Sequence, residues 1–251
     1  MVPVTGPELV LFDLDDTLFA HREAVEDGIL RHLAVVRGAF LAADPVAVQV
    51  LWRNLEEEHY HSYLAGILDF HGQRRERSRD FAAAYGLRLT DAEATLWFER
   101  YFWHYRDGWR LHADALPCLD ELAARIPGVR VGLITNGDLA FQSEKVHRVG
   151  LTDRVEHVIA SGDLGYAKPD PRIFQHACAV FGVAPDAAVY VGDRIRTDAI
   201  GAAEAGLGAV WIDRRGASVA AADAAAAARL GVIRLGGLAP LAAALAPDPA
   251  A

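Results

Sequence analysis

The sequence predicts an α/β fold in which a doubly wound parallel sheet carries an inserted α-helical cap domain. Short apolar runs that do not alternate with polar residues are typical of strands buried on both faces of a parallel sheet. Helical patterns separate most of these runs, which is the order of a strand–helix–strand fold. More than a hundred residues lie between the first run and the second, so that segment must contain structure of its own.

The length and composition indicate one large globular domain, or one domain with an insertion. The chain has 251 residues, of which 52% are apolar and 24% charged, and its net charge is −9. This balance argues against general disorder and against a general nucleic-acid binder, which needs an excess of Lys and Arg. No apolar run approaches the ~18 residues of a membrane span, and residues 1–8 lack the pattern of a secretory signal. We therefore expect a cytoplasmic protein with Cys118 and Cys178 reduced and buried, and with no nucleic-acid or membrane partner.

The predicted core domain comprises residues 1–19 and 111–251. Its strands are the apolar runs Leu9–Phe12, Val131–Ile134, His157–Ala160, Val189–Val191, Ala209–Ile212 and, more weakly, Val232–Leu235. Its helices are expected at Leu116–Arg125, Phe141–Val149, Pro171–Phe181 and Thr197–Ala205. The Ala-rich stretch 217–228 is compatible with a helix or a loop, and we expect residues 247–251 to form a disordered tail.

The segment between the first two strands predicts four helices. The first is expected at His21–Ala42, and the second after Asp44, an N-cap that is followed by a proline. A third is expected over 64–85, and a capping box that starts at Thr90 opens the fourth. We expect residues 20–110 to form a helical cap domain.

Polar residues follow the predicted strands at their carboxyl ends, where open parallel sheets bind ligands. Three of these ends would face one another, and Lys168 lies in the loop after the third strand. The residues concerned are Asp13 and Asp15 after the first strand, Thr135 and Asn136 after the second, and Asp193 and Asp198 after the fourth.

The four aspartates would repel one another in one small site unless a cation joined them. A hard divalent ion that takes oxygen ligands fits this set, and Mg²⁺ is the candidate. Lys168 adds a compact positive charge; it and Lys145 are the chain's two lysines, against 23 arginines. A metal, a Lys, a hydroxyl and free backbone amides suit a phosphoryl group, and a free carboxylate could form an aspartyl-phosphate.

The motifs at these positions resemble those of the haloacid dehalogenase-like (HAD) hydrolases. They are Asp13-Leu14-Asp15-Asp16-Thr17, Thr135-Asn136-Gly137, Lys168-Pro169, and Gly192-Asp193 with Asp198. The insertion between the first and second motifs resembles the helical C1-type cap. The resemblance, which covers roughly residues 8 to 213, implies a Mg²⁺-dependent phosphoric monoester hydrolase. Its substrate would be a small phosphorylated metabolite such as a nucleoside monophosphate, a sugar phosphate or phosphoglycolate.

The resemblance also implies a role for each motif residue. Asp13 would attack phosphorus, and Asp15 would protonate the leaving oxygen and then activate water. The phosphoryl group would be held by Thr135, Asn136 and Lys168, of which Thr135 and Lys168 would also be catalytic. The Mg²⁺ ligands would be the side chains of Asp13 and Asp193 and the backbone carbonyl of Asp15, with Asp198 supporting the metal shell.

Two other functions fit parts of this pattern. A 2-haloacid dehalogenase of the same superfamily would lack an Asp two positions after the nucleophile, because no leaving alkoxide needs a proton. Asp15 therefore favours a phosphatase. A catalytically inactive HAD-like interaction domain would lack the nucleophile or a metal Asp, whereas Asp13 and Asp193 are both present.

The predicted cap leaves its own alternatives open. The basic run Arg74–Arg79 would form a solvated helical face or bind a substrate anion, and His21 would face the active site or the solvent. Trp97, Trp103 and Trp109 are expected mainly in the core. Because specificity depends on such cap residues, the sequence names neither the substrate nor an oligomeric state.

Overall fold

The computed structural model describes residues 6–246, and these divide into two compact units. One unit contains the chain up to Ala20 and from Arg110 onward, and the other is His21–Trp109. The tail expected at residues 247–251 and most of the segment tested for a secretory signal lie outside the described residues. None of the described helices combines the length and apolar character that a membrane span requires.

The first unit is built on six parallel strands, which confirms the predicted doubly wound fold. They are β1 (Leu9–Phe12), β2 (Arg130–Thr135), β3 (Val158–Ala160), β4 (Ala188–Gly192), β5 (Gly208–Ile212) and β6 (Ile233–Leu235). The spatial order is β3-β2-β1-β4-β5-β6, so the chain changes direction across the sheet beside β1. Strands β1, β4 and β5 are buried along their whole length. The carboxyl ends of β1, β2 and β4 are therefore neighbours, as a ligand site at the point of reversal requires.

The second unit contains four α-helices. They are α1 (His21–Val36), α2 (Pro45–Leu64), α3 (Phe70–Ala84) and α4 (Asp91–Asp107). The expected N-terminal helix caps are present. The Asp44 carboxylate accepts a hydrogen bond from the Ala47 amide at 2.8 Å, and Thr90 forms a capping box with Glu93. At the centre, the Trp52 ring lies 5.3 Å from Phe81 and 4.6 Å from Tyr101, measured between centroids.

Two helix ends in this unit differ from the predictions. The first helix ends at Val36 rather than Ala42, because Arg37 and Gly38 adopt positive φ angles of 57° and 62°, which a right-handed helix excludes. The third helix begins at Phe70 rather than near residue 64, because Gly66 turns the chain with a φ of 71° and Asp69 caps the new helix. Both errors arise where a backbone turn interrupts an otherwise helical composition.

The described part of the first unit also contains seven α-helices. They are α5 (Ala115–Arg125), α6 (Leu139–Arg148), α7 (Ser161–Leu164), α8 (Pro171–Phe181), α9 (Gly201–Glu204), α10 (Ala221–Arg229) and α11 (Leu241–Leu245). The helix expected at Thr197–Ala205 is divided: a wide π-type turn covers Ile195–Ile200 and α9 follows it. Cys118 and Cys178 are free and buried, as expected.

Candidate active site

Asp13 is the first residue after the central strand β1, and its position is fixed by the sheet. Its amide donates to the Val191 carbonyl at 2.8 Å, which extends the pairing of β1 with β4 by one residue. Its side chain is buried, and the Thr17 hydroxyl donates to it at 3.4 Å. Asp16 closes the following turn with a φ of 63°, a conformation that Asp tolerates better than most residues. A buried carboxylate thus stands at the carboxyl edge of the sheet.

Lys168 lies at the centre of a buried polar cluster. Its Nζ donates to Asp13 Oδ1 at 2.6 Å, to Asp198 Oδ1 at 2.8 Å and to the Tyr190 hydroxyl at 2.7 Å. The three hydrogens of an ammonium group match these three acceptors. Tyr190 was not among the predicted site residues. The signal that could have revealed it is a single polar-tipped residue in the otherwise apolar strand β4.

The electrostatics of this cluster show an excess of negative charge. Burial raises the pKa of Asp13 to about 7 although Lys168 lowers it, and the carboxylates of Asp198 and Asp15 raise it further. Burial, followed by Asp198 and Asp13, also holds the pKa of Asp193 well above its usual range. Burial lowers the pKa of the Lys168 ammonium, but Asp13 and Asp198 outweigh that effect and raise it. A single ammonium does not neutralise these neighbouring carboxylates.

Thr135 and Asn136 lie at the end of β2, next to the Lys168 loop. The Asn136 side chain donates to the Lys168 carbonyl at 2.9 Å and accepts from the Lys168 amide at 2.8 Å. This pair of bonds locks the Lys168 backbone to the end of β2. Thr135 is buried. The structure therefore brings together the strand-end residues and the Lys168 loop that the sequence placed in one site.

The side chain of Asp15 has different partners from Asp13. It is 30% exposed, and its Oδ1 accepts from the ammonium of Lys145 at 2.6 Å. Its Oδ2 accepts from the Gln142 side-chain amide at 3.4 Å. Neither Lys145 nor Gln142 was a predicted site residue, although Lys145 shares with Lys168 the rarity of lysine in this chain. That rarity was the signal.

Three carboxylates are close enough to hold one metal ion. Oxygens of Asp13, Asp193 and Asp198 all lie within 4.8 Å of one another. Oxygens around Mg²⁺ lie roughly 3–4 Å apart, since each is ~2.1 Å from the ion, so the residues fit this metal. The Asp15 carboxylate is not in the group, and the expected role of its backbone carbonyl as a ligand stays a prediction. Gly192 permits the arrangement, because a Cβ there would lie 2.4 Å from the Asp198 Cβ.

Comparisons with known proteins agree on one family. A model of the haloacid dehalogenase-like hydrolases matches residues 7–206. The chain is 32% identical to a phosphoserine phosphatase of Thermus thermophilus, with 82% of this chain and 89% of that protein aligned. It is 31% identical to a glyceraldehyde 3-phosphate phosphatase of Methanopyrus kandleri, over 82% and 83% of the two chains. The structure of a 2-haloacid dehalogenase from Pseudomonas syringae pv. Tomato matches with a TM-score of 0.60 and 27% identity, over 94% and 96%.

Proposed function

This chain belongs to the haloacid dehalogenase-like hydrolases, and we propose that it is a Mg²⁺-dependent phosphatase that hydrolyses a small phosphorylated metabolite. The observation that carries the proposal is the pair of differently held carboxylates after β1. Asp13 is buried against the Lys168 ammonium, whereas Asp15, two residues later, is partly exposed and held by Lys145. One carboxylate is thus suited to attack and the other to proton transfer.

In the first step an Asp13 carboxylate oxygen attacks phosphorus, and the bond from phosphorus to the substrate oxygen breaks. Asp15 donates its proton to that leaving oxygen, so an alcohol departs rather than an alkoxide. In the second step Asp15 takes a proton from water, whose oxygen attacks phosphorus and releases inorganic phosphate and the Asp13 carboxylate. The two steps use the same carboxyl group as acid and then as base, so its protonation state is restored after each turnover.

The phosphoryl oxygens would be held by Thr135, Asn136 and Lys168. The Thr135 hydroxyl and the Asn136 backbone amide can donate hydrogen bonds, while the Lys168 ammonium supplies positive charge beside the nucleophile. The Asn136 side chain is hydrogen-bonded to both the carbonyl and the amide of the Lys168 backbone. These two bonds hold the residue that carries the backbone amide and the residue that carries the ammonium in a fixed relation. Donors fixed in advance need little rearrangement as charge develops.

The metal site is proposed at the Asp13 and Asp193 carboxylates and the Asp15 backbone carbonyl. When bound, Mg²⁺ would supply positive charge to the phosphoryl group and neutralise the excess carboxylates. Both carboxylate oxygens of Asp198 already accept hydrogen bonds, from Lys168 and Tyr190 and from the Arg194 amide. Asp198 therefore suits a supporting role better than direct coordination.

The helical unit is proposed as a cap domain, residues 20–110, that selects the substrate. It is inserted between β1 and β2, and a cap that closes over a site excludes water and large molecules. The phosphatase relatives are named for two different small phosphate esters, which supports the substrate class without choosing a member. Sugar phosphates, phosphoglycolate and nucleoside monophosphates belong to the same panel.

The dehalogenase alternative has support from the matched structure but not from the acid–base residue. Release of a halide needs no proton, so Asp15 and its buried partner Lys145 would have no task in that reaction. An Asp15→Asn variant should slow alkyl phosphates by about 10²–10⁴-fold in the first step, the usual contribution of a general acid. It should slow aryl phosphates less, because a phenoxide leaves more readily.

The direct test is a panel of phosphorylated metabolites and 2-haloacids, with Mg²⁺ and with a chelator. We expect phosphate release that requires Mg²⁺ and no halide release. Halide release in the presence of chelator, together with no phosphate release under any condition, would contradict the proposal. The same panel measures specificity and thus identifies the substrate class.

A further inference from the structure

Beyond the four family motifs, α6 presents two buried polar residues to Asp15. Lys145 and Gln142 lie one turn apart on this helix and are 1% and 4% exposed. The Lys145 ammonium is 2.6 Å from Asp15 Oδ1, and the Gln142 amide nitrogen is 3.4 Å from Asp15 Oδ2. Both oxygens of the carboxylate are thus held from the same helix face.

The surroundings of Lys145 explain why the position carries a lysine. Its Nζ lies 4.7 Å from the centroid of the Phe19 ring and 5.1 Å from that of Phe141. An ammonium that is buried between aromatic rings and bonded to a carboxylate has a compact shape that a guanidinium fork does not match. The chain uses arginine for 23 of its 25 cationic side chains, yet both lysines contact a carboxylate of the loop after β1.

Gln142 is placed by a glycine of the second motif. A Cβ on Gly137 would lie 2.9 Å from the Gln142 amide nitrogen, so only glycine leaves room for this side chain in its present position. Its Oε1 is buried without a hydrogen-bond partner among the described residues. The nitrogen at the other side of the same amide faces Asp15 Oδ2.

We propose that Lys145, assisted by Gln142, is a positioning residue that holds the Asp15 carboxylate in the orientation needed for both proton transfers. The inference rests on the proposed function, because it assigns Asp15 the acid–base role. Lys145 itself would touch neither substrate nor phosphorus. Without it, the partly exposed Asp15 side chain would sample several rotamers, and a displacement of about 1 Å can cost about 10²-fold in rate.

The proposal predicts a specific kinetic pattern for Lys145→Met. The value of kcat for an alkyl phosphate should fall by about 10²-fold, while KM should change by less than about threefold, since uniform binding is untouched. The first step with an aryl phosphate should be affected less, and phosphoenzyme should accumulate because its hydrolysis also uses Asp15. Gln142→Ala should give the same pattern with a smaller effect. The control is Arg148→Met, which removes an exposed cation from the same helix.

A double-mutant cycle with Asp15→Asn separates positioning from other roles. If Lys145 acts through Asp15, then Lys145→Met should change kcat by less than about twofold in the Asp15→Asn background. An equal loss of kcat in both backgrounds would overturn the proposal, as would an effect on KM alone. If Lys145→Met fails to fold, the cycle with Gln142→Ala decides the question by the same criteria. Failure of the proposed function would appear separately, as a wild-type enzyme without phosphatase activity.

Discussion

The pKa values of carboxyl groups are shifted in opposite directions at the charged clusters of the two units. In the helical unit, the Arg77 guanidinium is 3% exposed and donates to Glu56 at 2.7 Å, and His21 lies 3.6 Å from the same carboxylate. Burial raises the pKa of Glu56, but Arg77 and His21 outweigh it and lower that pKa to about 2. At the sheet edge of the other unit, burial and like charges raise the pKa of Asp13 and of Asp193.

This difference in pKa distinguishes a carboxylate that stabilises the fold from carboxylates that belong to a functional site. A carboxylate that is paired within its own unit is stabilised, and its removal weakens the fold. Carboxylates that repel one another cost stability until a ligand neutralises them, and such groups mark a functional site. Substitutions in either unit test this comparison, because loss of a paired charge should reduce stability whereas loss of a repelling carboxylate should not.

The largest effect is expected from Asp13→Asn, which keeps the shape of the side chain but removes its charge. Activity should fall by about 10³-fold or more because the attacking oxygen is lost. The urea midpoint should not fall, since the variant relieves repulsion. Asp153→Asn, an exposed carboxylate in the same unit, serves as the control. Turnover above about a tenth of wild type, a change of only ~1.4 kcal/mol, would exclude Asp13 as the nucleophile.

In the helical unit, Arg77→Met should reduce the free energy of unfolding by about 3–5 kcal/mol, because it leaves Glu56 without its main partner. The Arg77 guanidinium also stacks on Trp52 at 3.8 Å, so its packing is lost as well. Urea denaturation measures the effect against Arg88→Met, which removes an exposed cation from the same unit. Hydrolysis of a small aryl phosphate by the folded variant should stay within about twofold of wild type. A loss of activity without a loss of stability would assign Arg77 to the site instead.

His32 supplies a pH test of the same unit. It is buried, its ring lies 4.3 Å from that of Trp97, and its Nε2 has no hydrogen-bond partner among the described residues. Burial, with the charges of His104 and Arg100, lowers its pKa from 6.5 to about 4. Between these values the unfolded chain binds the proton and the folded chain does not. The contribution of His32 to stability is therefore complete above pH 6.5 and is lost as the pH falls toward 4, by on the order of 3 kcal/mol.

The measurement is urea denaturation at a series of pH values from 7 to 4, with tryptophan fluorescence as the signal of unfolding. Because Asp13, with a pKa of about 7, also titrates in this range, the test is the difference from wild type: His32→Leu should lose less stability, or gain more, than wild type as the pH falls, whereas His147→Leu, an exposed histidine, should follow wild type. Parallel curves for wild type and His32→Leu across this range would show that His32 is not the titrating group.

The smallest effect is expected from Asp193→Asn in metal-free protein, and its sign is opposite to that of Arg77→Met. Removal of one of three clustered carboxylates should stabilise the fold by about 1 kcal/mol at pH 8, because repulsion is relieved. Mg²⁺ should raise the melting temperature of wild type but not of this variant. Destabilisation of the metal-free variant would contradict the account, because it would mean that Asp193 is stabilised by its surroundings rather than repelled by the neighbouring carboxylates.

The sequence predicted the sheet well because its strands are continuous apolar runs bounded by turn residues. It predicted the position of Asp13, Lys168 and Asp198 because strand ends in a parallel sheet converge. Tyr190 and Gln142 were missed, since one lies inside a strand and the other on a helix face, where neither spacing nor motif marks them. Only the folded chain brings Tyr190 to Lys168 and Gln142 to Asp15.

The helical unit was predicted less accurately because its composition is helical where its backbone turns. Trp103, expected in the core, is 69% exposed. It follows Trp97 by six positions, which rotates it by roughly 120° about the axis of α4, whereas Tyr101 and Tyr105 share the buried face. Arg77, expected in a solvated or substrate-binding run, is buried against Glu56. Hydrophobic periodicity predicts that a segment is helical more reliably than it predicts which side chains of that helix are buried and what they contact.

The central claim is that Asp13 becomes phosphorylated, and one measurement tests it most directly. Asp15→Asn protein, in which hydrolysis of the intermediate is slow, would be mixed with an aryl phosphate and Mg²⁺ and quenched in acid within one turnover. Mass spectrometry should find one phosphoryl group per chain on the peptide that contains Asp13, and borohydride should convert that residue to homoserine. A phosphoryl group on any other residue, or full release of phosphate without a phosphorylated chain at any time point, would contradict the account.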